Sequence, residues 1–176
     1  FMLTAALPFA WYIRVLTRGA FRSEQIRALL ISLSSAIFIL TLWRVITAHT
    51  PLLETLRLVA FNVVSVVTTT GFATTDYTLW GPFAATTFLC LTALGGCTGS
   101  TSGGGKMMRW VVVIRSVYAQ MRHIHQPHGV FPTRYEGRVV EYDVINGVMT
   151  FFTLFILTLG LLAVGLSLTG LSFQTA

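Results

Sequence analysis

Apolar residues run along this chain in blocks of unequal length. Residues 28–48 form a run of 21 with one charge, Arg44, near its end. A bilayer crossing needs about 20 apolar residues, so this run predicts a transmembrane helix. Residues 142–168 contain a second, centred on Phe151-Phe152 to Leu162. Gly160, Gly165 and Gly170 recur there every five residues, which matches no single helix face and predicts local close packing.

Between these spans the blocks shorten. His49-Thr50-Pro51 breaks the chain, with Thr50 suited to an N-cap and Pro51 to the first helical position. The following apolar block, 52–67, makes about 24 Å of helix, against a hydrocarbon core of about 30 Å. It predicts a re-entrant helix. Its β-branched end (Val63, Val64, Val66, Val67, Thr68) weakens helix propensity where a polar stretch begins. Gly81-Pro82 restarts the chain, and 83–94 is a short apolar helix. Six of the eleven residues 95–105 are glycine, namely Gly95, Gly96, Gly99, Gly103, Gly104 and Gly105. At about 1 kcal/mol each relative to alanine, they disfavour a continuous helix. The chain resumes over 107–122 as an amphipathic basic helix. The pattern predicts an all-α polytopic membrane protein built on a helix, a pore-type loop and a broken second helix.

Composition agrees. The chain is 54% hydrophobic and 10% charged, with mean hydropathy +0.73. Soluble domains carry about 25% charged residues. Ten of the twelve basic residues lie in two segments: Arg14, Arg18, Arg22 and Arg27 before the first span, and Lys106 to Arg138 before the last. The positive-inside bias puts both on the cytoplasmic face, so the net charge of +6 reads as topology and not as nucleic-acid binding. Phe1 to Ala10 lacks an initiating Met and a basic leader, and reads as the tail of an earlier helix. The end of the chain has no closing element, so a fragment of a longer chain is expected. Cys90 and Cys97 suggest neither a disulfide framework nor a zinc site.

Two polar stretches carry the candidate chemistry. Thr68, Thr69, Thr70, Gly71 and Phe72 follow the short helix. Irregular backbone at membrane depth is tolerated only where it is buried in protein or lines a watery cavity. Carbonyl oxygens can replace the water of a monovalent cation, Gly71 permits the backbone to turn them one way, and threonines add hydroxyls. Asp76 adds charge at an outer mouth. The other reading is a helix-connecting turn with capping threonines. For 95–105, the Walker A pattern fails at Ser100 and Met107. Helix packing through Gly95, Gly99 and Gly103, and a loop in the ion path below the filter, both stand.

The two stretches together, Thr68-Thr69-Thr70-Gly71-Phe72-Ala73-Thr74-Thr75-Asp76 and Gly95 to Lys106, resemble the Trk/Ktr/HKT superfamily of potassium uptake proteins, closest to its bacterial TrkH branch. The resemblance covers nearly the whole chain. It implies four helix–pore loop–helix repeats around a central pore. Residues 1–27 would close the preceding repeat and link it, and 28–122 would be the third repeat. Within that repeat lie a pore helix at about 52–67, a filter at 68–73 and an intramembrane loop at 95–105. Residues 123–142 would be a cytoplasmic linker, and 143–176 the first helix of the next repeat. It further implies potassium at Thr69 and Thr70, Thr68 at the inner end of the filter, and Gly95 to Gly105 as a gate that Lys106 follows toward the cytoplasm. A homodimer in the bacterial cytoplasmic membrane is implied, with a TrkA-like nucleotide-binding regulatory ring. The resemblance implies potassium as the transported ligand, and no covalent cofactor or enzymatic activity is expected. One pore loop cannot close a ring, so this stretch alone is not expected to conduct. The alternatives are an ion-coupled secondary transporter with a midplane site on broken helices, and a non-conducting scaffold that uses its glycines for packing. Proton coupling, potassium-over-sodium selectivity and the ligand of the gate are not encoded in any motif. His123, His125 and His128 flank Pro127 at spacings that permit a metal site.

Overall fold

The computed structural model describes residues 1–19, 21–126, 129 and 131–168; His128 and Gly170 lie outside these. It divides into two compact units, 1–111 and 112–176. The first opens with two short helices, α1 (Met2–Ala5) and α2 (Phe9–Arg18), separated at Pro8. The longer α3 (Glu24–Ala48), α4 (Leu52–Val67), a 3-10 turn (Tyr77–Trp80) and α5 (Pro82–Leu94) follow. Helix α6 (Met107–His125) begins in this unit and continues into the second. The second unit adds a hairpin, β1 (Arg134–Tyr135) with β2 (Arg138–Val139), and α7 (Tyr142–Ser167).

Helices α3 and α7 are each long and apolar enough to cross a membrane. Helix α3 starts four residues ahead of the apolar run, because Glu24, Gln25 and Arg27 extend it past the apolar stretch. Leu29, Leu33, Ala36 and Leu40 recur at helical spacing and are buried, whereas Leu30, Ile31, Phe38 and Ile39 are exposed. The buried stripe packs with Val59, Val63 and Val67 of α4 and with Ala84, Phe88 and Leu91 of α5. Lipid tails are as apolar as leucine, so these contacts hold through close packing and not through water exclusion.

Two local expectations are revised and a hairpin is added. Pro51, extended at φ −61° and ψ 135°, takes the N-cap position of α4. Thr50 instead places its hydroxyl 2.7 Å from that of Thr55, whose own amide already reaches the Pro51 carbonyl at 3.1 Å. The linker before α7 is not wholly irregular. Glu136 and Gly137 both have positive φ (48° and 80°), as a two-residue hairpin turn requires. A Cβ added at Gly160 or Gly165 would meet nothing within 4 Å, and Val148 is the buried residue of α7. Close packing at these glycines is therefore not formed among the described residues.

Candidate functional site

Helix α4 ends because its last carbonyls are taken up by the residues that leave it. The Thr68 amide and hydroxyl both donate to the Val64 carbonyl, at 2.9 and 2.8 Å. The Thr69 amide reaches Val66 O at 3.0 Å, and the Thr70 amide reaches Ser65 O at 2.9 Å. The Thr68 and Thr70 hydroxyls lie 2.7 Å apart. Thr69 has φ +53° and Gly71 has φ +82°. A left-handed β-branched residue costs about 1–3 kcal/mol and persists only where its surroundings hold it. Gly71 has open space around its Cβ position, so it answers a backbone need and not a spatial one.

The carbonyls of this stretch divide sharply. Thr68 O accepts the Ser102 hydroxyl at 3.1 Å. Among the described residues, no donor reaches the carbonyls of Thr69, Thr70, Gly71 or Phe72, and all four residues are exposed. The threonine hydroxyls, by contrast, are turned to the protein: Thr69 Oγ1 accepts the Gly103 amide at 2.9 Å. The oxygens left for a cation are thus those of the backbone.

Asn62, buried one turn above Ser65, holds the returning strand. Its Nδ2 donates to Leu58 O (3.0 Å) and to the hydroxyls of Thr74 (3.4 Å) and Thr75 (3.2 Å). Its Oδ1 accepts the Thr74 amide at 3.3 Å. An amide side chain in the apolar second half of α4 was the sequence signal for this clamp. Beyond it, Asp76 Oδ1 accepts the Thr78 hydroxyl (2.5 Å) and amide (3.0 Å). The two bonds, the hydroxyl's first, hold its carboxyl below the usual carboxylate range. An aromatic group lies under this turn: Tyr77 and Trp80 against Phe88, with the Arg44 guanidinium 4.2 Å from the Trp80 ring centre.

The glycine stretch is a closed loop and no helix. Its neck is tied by Gly105 N to Ala93 O (3.0 Å) and Met107 N to Gly96 O (2.8 Å). There Gly95 and Gly104, both at positive φ, lie back to back. A Cβ at Gly104 would sit 2.9 Å from Gly95 Cα, and one at Gly95 would sit 2.2 Å from Gly103 O. Packing between helices through Gly95, Gly99 and Gly103 is therefore not what these glycines do, because their spacing has no helix to act on. Lys106, at φ +64°, turns its ammonium back into the loop, where Nζ donates to the carbonyls of Ser100 (3.3 Å) and Ser102.

The loop is fastened on two sides. Ser102 and Gly103 join it to Thr68 and Thr69, thirty-four residues earlier. On the other side Cys97 N reaches Ala6 O (3.0 Å), Phe9 N reaches Gly99 O (3.0 Å), and Thr101 Oγ1 reaches Ala5 O (3.1 Å). Gln25 Oε1 accepts the Thr98 amide at 3.1 Å. The two polar stretches are thus brought together in one site, and the break between α1 and α2 cradles the loop.

Of the other candidates, Cys97 lies within the loop itself. Cys90 and Cys97 are free thiols, exposed and buried respectively. His123 and His125 are exposed on α6, two residues apart and so on different faces. His125 Nδ1 pairs with Met121 O at 3.1 Å. Among the described residues no cluster of three His, Cys, Asp or Glu could hold a metal.

Comparison with known proteins gives the same architecture. The family model described as "TrkH: Cation transport protein" matches residues 25–176. The Trk system potassium uptake protein TrkI of Halomonas elongata is 47% identical over all of this chain and 36% of its own length. TrkH of the same organism is 31% identical over all of this chain and 37% of its own. The chain thus spans little more than a third of these curated relatives. The crystal structure of the potassium transporter TrkH from Vibrio parahaemolyticus superposes with a TM-score of 0.88 over 97% of this chain and 38% of that one. At 24% identity it shows the fold: a helical membrane protein.

Proposed function

Because the chain belongs to the TrkH family of cation transport proteins, we propose that it supplies one repeat of a potassium uptake pore in the bacterial cytoplasmic membrane. Potassium loses water to the carbonyls of Thr69, Thr70, Gly71 and Phe72. The observation that carries this reading is that these four carbonyls have no donor among the described residues, while Thr68 O has one. Carbonyl dipoles replace the hydration shell, and the C-terminal end of α4 directs its negative dipole to the same place. Asp76 raises the local cation concentration at the outer mouth.

The glycine loop is the gate. Its bonds to Thr68 and Thr69 hold it directly against the inner end of the filter. Opening breaks those two bonds and swings a loop whose neck stays tied. Further repeats close the ring. A homodimer and a nucleotide-binding regulatory subunit of the TrkA kind complete the system, and they act on the gate from the basic cytoplasmic side.

Rubidium uptake by the intact protein tests the reading. Gly71→Ser forces a side chain into left-handed backbone, so selectivity for potassium over sodium should fall at least tenfold while the protein still assembles. Unchanged selectivity refutes the filter. The break at Gly95 also fits a transporter with a midplane site. In that case an imposed proton gradient, and not the potassium gradient alone, would drive uptake.

A further inference from the structure

The second unit holds an open groove that the proposed pore does not use. One cavity of about 510 Å³ is lined by Arg115, Tyr118 and Arg122 of α6 and by Phe131, Thr133 and Arg134 of the segment before the hairpin. A second, of about 480 Å³, shares Tyr118, Arg122 and Phe131 with it and continues past Met121. Three arginines line one cavity, and among the described residues neither cavity is lined by a carboxylate. The Arg115 guanidinium donates to Arg134 O at 2.5 Å, which fixes one wall against the other. Thr133, buried, holds the Val140 amide at 2.8 Å and so ties the groove to the strand that leads into α7.

We infer that this groove binds the phosphate headgroup of an anionic phospholipid. Planar guanidinium groups match phosphate oxygens in paired geometry. The groove is also apolar along its continuation: Tyr118 and Met121 are 64% and 53% exposed, next to Ile114, Val117 and Ile124 on the same helix. A soluble anion has no use for that stripe, whereas a lipid lays its first methylenes on it. The depth fits as well. Arg134 pairs across the hairpin with Val139, three residues before the apolar α7 begins, so it lies near the level where that helix meets the cytoplasmic headgroups. Basic pockets at this level are suited to lipid phosphates. The inference shares with the proposed function only the membrane orientation, and its test reads lipid retention, not flux.

The test is native mass spectrometry of the intact transporter in nonionic detergent, titrated with phosphatidylglycerol. Wild type should retain the lipid, and phosphatidylcholine should not replace it. Arg122→Gln should weaken retention about fivefold, from about 1 kcal/mol per basic residue. Arg115→Gln, Arg122→Gln and Arg134→Gln together should weaken it by well over tenfold. Arg138→Gln, the same charge change outside the groove, should leave it unaltered. If the triple variant does not fold, the exposed Arg122→Gln against Arg138→Gln carries the test alone. Three results overturn the inference. These are equal loss in the Arg138 variant, full retention in the groove variants, and displacement of the lipid by millimolar inorganic phosphate, which would make the ligand a soluble anion.

Discussion

Lys106 carries two constraints at once: a left-handed backbone and an ammonium bonded to the carbonyls of Ser100 and Ser102. Charged hydrogen bonds contribute about 1.5–3 kcal/mol each, enough to favour one loop position strongly. Lys106→Met should therefore raise basal rubidium flux about tenfold or more, and Lys106→Gly, which also relieves the backbone, at least as much. Equal flux in all three proteins would mean that the lysine latches nothing. The glycines divide in the same way. At Gly104 a methyl group meets backbone at 2.9 Å, whereas at Gly99 it meets nothing within 4 Å. Gly104→Ala should lower the melting temperature much further than Gly99→Ala, whose cost is only the left-handed backbone, about 1 kcal/mol. Asp76 has a depressed pKa, so its charge is lost only as pH falls through that lowered value. Asp76→Asn should cut uptake at low external potassium by the same factor throughout about pH 5–8. A wild-type inflection in that range that vanishes in the variant would contradict this.

At the scale of elements, the site depends on how α4 is held to the strand that returns from it. Asn62 makes three hydrogen bonds across that gap, to Thr74 and Thr75, and a fourth back to Leu58 within α4. Asn62→Leu keeps the volume and leaves the Thr74 amide and two hydroxyls without a partner. We expect a stability loss of about 2–3 kcal/mol, measured by thermal melting, together with reduced potassium selectivity. Loss of stability alone would reduce Asn62 to a packing residue. This clamp was not legible in the sequence, because its partners lie twelve and thirteen residues on and Asn leaves no pattern. The breaks were legible, because their causes are local. Pro51 and Gly81-Pro82 cannot sit inside a helix and so separate one from the next, and six glycines in eleven residues leave no helix to form. The position of Thr69 in left-handed backbone was not foreseen, since β-branching argues against it and only the bonds from Val66 and Gly103 hold it there. Nor was the hairpin at 134–139, whose two-residue strands are too short to show alternation.

At the scale of the molecule, apolar length and charge placement were enough to mark a membrane protein, and the family match agrees. The joining of the two polar stretches is a different matter. It rests on contacts between residues 34 apart, and no local pattern encodes it. That junction makes a filter and a gate one device, provided the free carbonyls are where potassium sits. Anomalous diffraction from crystals of the intact protein soaked in rubidium or thallium tests this directly. The account predicts peaks on the pore axis at the level of the Thr69, Thr70 and Gly71 carbonyls. A peak confined to the helix break at Gly95–Lys106, with none at those carbonyls, would contradict it.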